Sequence, residues 1–305
     1  MKRVLAVDIG GTKVACAVVA ADGSLSAERR MPTPRTDDPE TLFAAVAAVA
    51  RASLDASGAS IDAVGVGCGG PMRWPEGVVS PLHIAAWREF PLRERLSTDF
   101  GAPCVVDNDA KAFAFGEHWL GAGRGARSLL GIVVSTGVGA GIVIDGRLVH
   151  GAGGQAGHVG HVLADSSADA ETCACGATGC VETIASGTAL ARRGAADAAV
   201  LAERARAGEA IAVELFVAAG RALARGIASA AALFDLDRVV VGGGVGLGAW
   251  DLLAPSLRAE LAARARLSFT RGLEVRRAAL GEDANLIGAA KRVLSDRDRD
   301  ADRAR

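Results

Sequence analysis

An α/β fold built from two copies of one unit is the architecture this sequence predicts, on three observations. An apolar strand, a glycine turn and a second apolar strand run over Val4–Val7, Asp8-Ile9-Gly10-Gly11-Thr12-Lys13 and Val14–Val19, closing at Asp22-Gly23. The same order returns as Gly131–Val134, Ser135-Thr136-Gly137-Val138-Gly139 and Gly141–Ile144, closing at Asp145-Gly146. The length, 305 residues, suits about two domains.

The remaining elements follow in order. Helical periodicity covers Thr41–Leu54, and a strand over Ala63–Val66 runs into Gly67-Cys68-Gly69-Gly70-Pro71. Cys104–Val106 is a short strand that empties into Asp107-Asn108-Asp109 and a helix over Ala110–Trp119. A boundary between the copies falls at Gly121–Gly125. Helices dominate Ser186–Phe234, and Arg238–Val241 is a strand ending in Gly242-Gly243-Gly244. The alternating Asp and Arg of Ser295–Arg305 predict a solvated, frayed end.

Composition excludes several classes of function. Thirty-four basic residues against 35 acidic ones leave a net charge of −1, with no electrostatic footprint for nucleic acid or an anionic membrane. A 50% hydrophobic chain has ample material for a core, which excludes bulk disorder. The most apolar long window, Ile211–Phe234, is interrupted by Glu214, Arg221 and Arg225, so a buried amphipathic helix is expected there and not a membrane span. The basic start Met1-Lys2-Arg3 leads to an apolar run that stops at Asp8, too short for a signal peptide, and a cytoplasmic protein is expected. Glycine is in excess, at 39 residues, and more than half of them sit around Asp8, Gly67, Ser135, Gly157, Cys175 and Gly243.

The two glycine turns point to phosphate. Glycine lets backbone N–H groups approach an anion without Cβ obstruction, and threonine adds a hydroxyl donor. A single such turn is more often an ordinary hairpin, but two in duplicated halves could clamp a polyphosphate between them. That arrangement resembles the actin-like/sugar kinase (ribonuclease H-like) ATPase fold, two domains with a cleft, in which Asp8 would hold Mg²⁺ directly or through water.

His161, Cys173, Cys175 and Cys180 offer one imidazole and three thiols, the donor set of a closed structural Zn²⁺ site. The other cysteines, Cys16, Cys68 and Cys104, lie in apolar strand-like runs and read as small core hydrophobes.

At these residues a family resemblance becomes specific. Asp8–Lys13, Asn108-Asp109-Ala110, Gly157-His158-Val159-Gly160-His161 and Cys173-Ala-Cys-Gly-Ala-Thr-Gly-Cys-Val-Glu182 resemble the motifs of the ROK (repressor, open reading frame, kinase) sugar kinases, and the likeness runs from residue 4 to about 294. It implies that Asp109 takes the proton from the sugar hydroxyl that attacks the γ-phosphoryl group; the residue pattern alone would favour a helix N-cap. It implies that Asp8, Gly10, Gly11, Thr12, Lys13, Thr136, Gly137, Gly243 and Gly244 bind ATP. For the sugar it implies Gly70, His83, Asn108, Asp109, His158, His161 and Glu182, with His161 also a zinc ligand. The zinc would shape a sugar loop and take no part in the chemistry. Ala284–Ala290 resembles the family's closing helix, which gives an N-terminal domain of 1–122 completed by 284–295, a larger domain of 123–283 carrying the zinc, and a frayed tail at 296–305. Asp107 is off the family's catalytic position and is expected to be structural, and Lys111 has no assigned role.

Two departures touch the part that reads the sugar. The family usually carries Gly-Glu-x-Gly-His, and His158 stands at that glutamate; His83 stands where an asparagine is common. A carboxylate accepts at two oxygens, whereas a neutral imidazole offers one acceptor and one donor.

The expected function is an ATP-dependent hexose kinase acting on the 6-hydroxyl of glucose or a close relative, as a homodimer or higher homo-oligomer by resemblance. Alternatives are a kinase for N-acetylglucosamine, N-acetylmannosamine or mannose, a polyphosphate-using enzyme, and a sugar sensor without turnover. A DNA-binding repressor of the family would carry a helix-turn-helix domain before the first glycine motif, which here starts at residue 8. A loose Gly-x-Gly-x-x-Ala over Gly244–Ala249 is too weak for a dinucleotide fold.

Overall fold

The computed structural model describes residues 2–303, with side chains through residue 295, and divides into two compact units. Of the described residues, the first comprises 2–120, 150–156 and 282–303, and the second 121–149 and 157–281.

In the first unit, β1 (Arg3–Ile9), β2 (Lys13–Ala20), β3 (Leu25–Pro32), α1 (Pro39–Ser57) and β4 (Ala63–Cys68) are followed by a small hairpin, β5 (Met72–Arg73) and β6 (Val78–Val79). Then come α2 (Leu92–Phe100), β7 (Cys104–Asn108) and α3 (Asp109–Leu120). The main sheet has the order β3-β2-β1-β4-β7, with β1, β4 and β7 parallel and β2 and β3 antiparallel to their neighbours. Successive side chains of a strand face opposite sides. Leu5, Val7 and Ile9 accordingly pack with Leu42, Val46 and Leu96 on one face, while Val4 and Ala6 face the other. Helix α1 starts where Asp38 accepts the N–H groups of Glu40 and Thr41, with Pro39 in its first turn, and stops at Gly58 in the left-handed region.

The second unit repeats this plan. It holds β8 (Ser128–Val134), β9 (Val138–Ile144), β10 (Arg147–Leu148), α4 (Glu182–Ala185), α5 (Gly187–Gly194), α6 (Ala198–Arg206), α7 (Ala210–Phe234), β11 (Arg238–Gly242), α8 (Gly243–Gly248), α9 (Trp250–Arg264) and β12 (Glu274–Arg277). Its sheet order, β10-β9-β8-β11-β12, matches the first sheet strand for strand in direction as well as position. The apolar window expected to be buried is α7, whose Phe216, Leu223 and Ile227 join Ile132, Val241 and Leu253 in the core. Among the described residues no helix is long and apolar enough to cross a membrane.

The last helix, α10 (Ala284–Arg303), returns to the first unit and covers the other face of its sheet, where Leu286, Ala290 and Val293 meet Val4, Ala6 and Ala17. The side chains of the frayed end expected at 296–305 lie outside the described residues. Helices α3 and α10 cross closely: a Cβ on Gly288 would lie 1.7 Å from the Ala112 carbonyl oxygen. Gly288→Ala is therefore expected to lower unfolding free energy by roughly 3 kcal/mol, the upper part of the usual overpacking range, which urea denaturation would measure.

The assignment of residues 123–283 to one domain needs one correction. His150–Ala156 cluster with the first unit, because their side chains and carbonyls bond there.

Candidate functional site

In the first unit, parallel β1, β4 and β7 bring the ends of three strands into one row, the edge where open α/β sheets place their ligands. Asp8 pairs in register with Gly67 of β4, and Gly67 with Asp107 of β7. A Cβ on Gly67 would lie 3.6 Å from both Asp8 Oδ1 and Asp109 Cα, so Asp8 and Asp109 flank this glycine. Asp8 is 9% exposed. Burial, reinforced by the nearby Asp109 charge and eased by the 3.0 Å bond from Asn285 Nδ2, pushes its carboxyl up to about 6. Asp109 opens α3, and its Oδ1 accepts the Ala110 N–H at 2.8 Å, shared with Asn108 Oδ1 at 3.0 Å. Gly70 lies beside Asn108, at 3.6 Å from Nδ2 measured to an added Cβ.

The first glycine turn is held by its own backbone and by Thr33. Gly10 N–H donates to the Lys13 carbonyl at 2.9 Å, the Thr33 hydroxyl donates to Gly10 O at 2.6 Å, and Thr33 N–H donates to Thr12 O at 3.0 Å. His83 abuts this turn: its Cβ is 2.6 Å from where a Cβ on Gly11 would lie. Lys13 Nζ pairs with Glu282 Oε2 at 3.1 Å, and burial, then Arg30, lowers its pKa.

The second turn is braced by the start of α5. Gly187 N–H donates to Ser135 O at 2.7 Å, and the Thr188 hydroxyl donates to Thr136 O at 2.9 Å. Beside it lies a cavity of about 550 Å³, within the usual size range for small-molecule sites. Ser135, Thr136, Thr188, Asp197, Arg206 and Gly244 line it. Of the residues expected to bind nucleotide, Thr136 and Gly244 face this cavity. Gly137 lies under Glu182, and Gly243 packs against Val134 at the end of β8. Thr188, Asp197 and Arg206 were not legible as site residues, because they sit on α5, before α6 and on α6 without a motif.

His161, Cys173, Cys175 and Cys180 come together as expected, their donor atoms all within 4.8 Å of one another. A tetrahedral zinc, with Zn–S near 2.3 Å and Zn–N near 2.0–2.1 Å, has S···S edges of about 3.8 Å and S···N edges of about 3.5 Å. Cys175 Sγ and Cys180 Sγ are 3.7 Å apart, and Cys173 Sγ and His161 Nδ1 are 3.6 Å apart. The cluster therefore fits a metal in both donor type and edge length. Burial, then the neighbouring thiols, pushes the Cys180 thiol up to about 12; a dication among the sulfurs is what allows such a set to ionise.

His158 and His161 are exposed on either side of the buried Val159 and Gly160, with the two rings 6.0 Å apart and inclined by 23°. Glu182 lies two residues after Cys180. Its Oε2 accepts the Val138 N–H at 2.8 Å, so the carboxylate that closes the cysteine motif also braces the second glycine turn.

Comparison with known proteins adds the following. The ROK family model matches residues 4–295. A glucokinase from Halalkalibacterium halodurans is 33% identical over 305 residues, covering 92% of each chain. An N-acetylmannosamine kinase from Escherichia fergusonii is 40% identical over 249 residues, covering 80% of this chain and 83% of its own. The crystal structure of a ROK family glucokinase from Streptomyces griseus in complex with glucose and AMPPNP superposes with a TM-score of 0.79 at 32% identity, covering 95% of this chain and 98% of that one. The match runs from β1 into α10 and takes in both sheets, both glycine turns and the cysteine loop: the chain belongs to the ROK family.

Proposed function

We propose that the protein is an ATP-dependent hexose kinase that phosphorylates the sugar 6-hydroxyl. The observation that carries this reading is the pairing of Asp8 and Asp109 across Gly67 at the strand ends, next to the first glycine turn. Phosphoryl transfer is mostly a matter of positioning and charge stabilisation. Asp8 would hold the Mg²⁺ of ATP directly or through water, and the turns at Gly10–Lys13 and Thr136–Gly137 would bind the phosphates, with Gly243 and Gly244 at the adenosine side. Mg²⁺, when bound, neutralises charge on the phosphates. The sugar oxygen forms a bond to the γ-phosphorus, the bond to the β,γ-bridging oxygen breaks and releases ADP, and the hydroxyl proton passes to Asp109. Gly70, His83, Asn108, His158, His161 and Glu182 would position the sugar. His161, Cys173, Cys175 and Cys180 would hold a structural Zn²⁺ that shapes the loop between them. We place the protein in the cytoplasm, consistent with six cysteines outside any disulfide, as a homo-oligomer without nucleic-acid partners.

Two observations favour N-acetylmannosamine over glucose as the sugar. The N-acetylmannosamine kinase is the more identical of the two relatives. His158 replaces the family's sugar-binding glutamate with a ring that can donate as well as accept, which suits an acetamido carbonyl. Glucose is the second reading, favoured by the glucokinase match over 92% of the chain. The expected result is a kcat/KM for N-acetylmannosamine at least about tenfold above that for glucose, narrowed by His158→Glu. An unchanged hexose profile in His158→Glu would remove this residue from sugar choice.

A further inference from the structure

Lys111 lies two residues beyond Asp109 in the first turn of α3 and is 1% exposed. An ammonium buried to this degree is costly unless it is paired and hydrogen-bonded. Its Nζ is 3.4 Å from Asp107 Oδ1 and donates to the carbonyl of Gly154. Asp107, itself 2% exposed, also accepts from Arg292 Nε at 3.3 Å and from the N–H of Asn108 at 2.9 Å, and His150 Nδ1 lies 3.3 Å from its Oδ2. Burial lowers the Lys111 pKa and the Asp107 charge opposes that shift, so the pair is one electrostatic unit.

Two of the residues met by this unit, His150 and Gly154, lie in one stretch of chain, His150–Ala156. The His150 ring stacks on Trp74, with centroids 4.6 Å apart. Gly154, at φ +74°, packs against the same indole so closely that a Cβ would lie 2.4 Å from Trp74 Cβ. Gln155 Nε2 donates to Met72 O at 2.9 Å. Sequence places this stretch between β10 and the Gly157–His161 loop, yet its bonds are made to α3 and the β5–β6 hairpin.

We infer that Lys111 is a positioning residue for sugar phosphorylation: its buried ammonium ties the His150–Ala156 strap to the helix that begins with Asp109, and through the strap sets the start of the Gly157–His161 loop. This rests on the proposed roles of Asp109, His158 and His161. Lys111 touches no reacting atom in this scheme. Its effect is on where the sugar-reading loop begins, and displacement of a positioning group by about 1 Å can cost about 100-fold in rate.

Lys111→Met keeps the aliphatic stem and removes the ammonium. The sugar KM is expected to rise at least about tenfold, while the ATP KM stays within about twofold. Hydrogen exchange at the Gly154 and Ala156 amides, which bond to Gly151 O and His150 O, is expected to quicken. Lys111→Arg, which restores a cation, should recover part of both effects. A merely structural lysine would lower Tm and leave the ratio of the two KM values unchanged; that ratio unchanged, or unaltered exchange across 150–156, overturns the inference. Should Lys111→Met fail to fold, Trp74→Leu loosens the same strap from its half-buried side and is judged by the same two readouts. Absence of hexose turnover in the unmodified protein would count against the proposed function, and the exchange measurement would still decide whether Lys111 holds the strap.

Discussion

Asp109→Asn should abolish most turnover while leaving the fold and sugar binding in place. Asparagine matches the carboxylate in shape, and its side-chain oxygen can still accept the Ala110 N–H now bonded at 2.8 Å to Asp109 Oδ1. The start of α3 therefore keeps its geometry. What is lost is the capacity to take up a proton as the sugar oxygen attacks phosphorus. General-base assistance is worth about 10²–10⁴-fold, so kcat should fall within that range with little change in sugar affinity. A second consequence sharpens the test. The Asp109 charge helps raise the Asp8 carboxyl towards about 6, so neutralising it should let Asp8 ionise more readily. Loss of kcat in Asp109→Asn therefore cannot be ascribed to a protonated Asp8. Steady-state kinetics with sugar binding by calorimetry measures both sides; near-normal kcat would remove Asp109 from the base role.

Removing the metal should damage stability and sugar recognition together. Cys180 is 1% exposed and its carbonyl accepts the Thr183 hydroxyl at 2.8 Å at the start of α4, where Glu182 in turn braces the Val138 amide. The cluster thus connects the His158–His161 loop to the second glycine turn within one unit. Loss of a structural metal belongs among the mechanisms that exceed about 4 kcal/mol. Cys180→Ser, or chelation, should lower Tm clearly, release zinc in proportion to protein, and weaken sugar binding by about tenfold or more through misplacement of the loop. Metal-free protein that keeps its Tm and full activity would show that the four side chains form no structural metal site.

Much of this molecule was legible because its signals are local. The glycine turns, the Cys–Cys spacing and the strand–helix corner at Asp109 are each written within a few residues. Edge strands were harder to read. β3, with Glu28, Arg29 and Arg30, and β12, with Arg276 and Arg277, carry charges where apolar residues would have marked a strand. Each forms a sheet edge, where such charge discourages pairing with another chain. The Asp107 cluster was illegible for another reason: Arg292 reaches it from 185 residues away, and Lys111 looks like any surface lysine on a helix until its burial is known. Glu182 shows the same limit, since its bond to Val138 spans 44 residues.

Sugar-dependent ADP release is the most direct test of the central claim. Measured with ATP over glucose, mannose, N-acetylglucosamine, N-acetylmannosamine, allose and fructose, it should show turnover on at least one hexose, one ADP formed per sugar 6-phosphate, and collapse in Asp109→Asn. Sugar binding without ADP release on any of these hexoses would contradict the account and leave a sugar sensor that uses the same fold without the reaction.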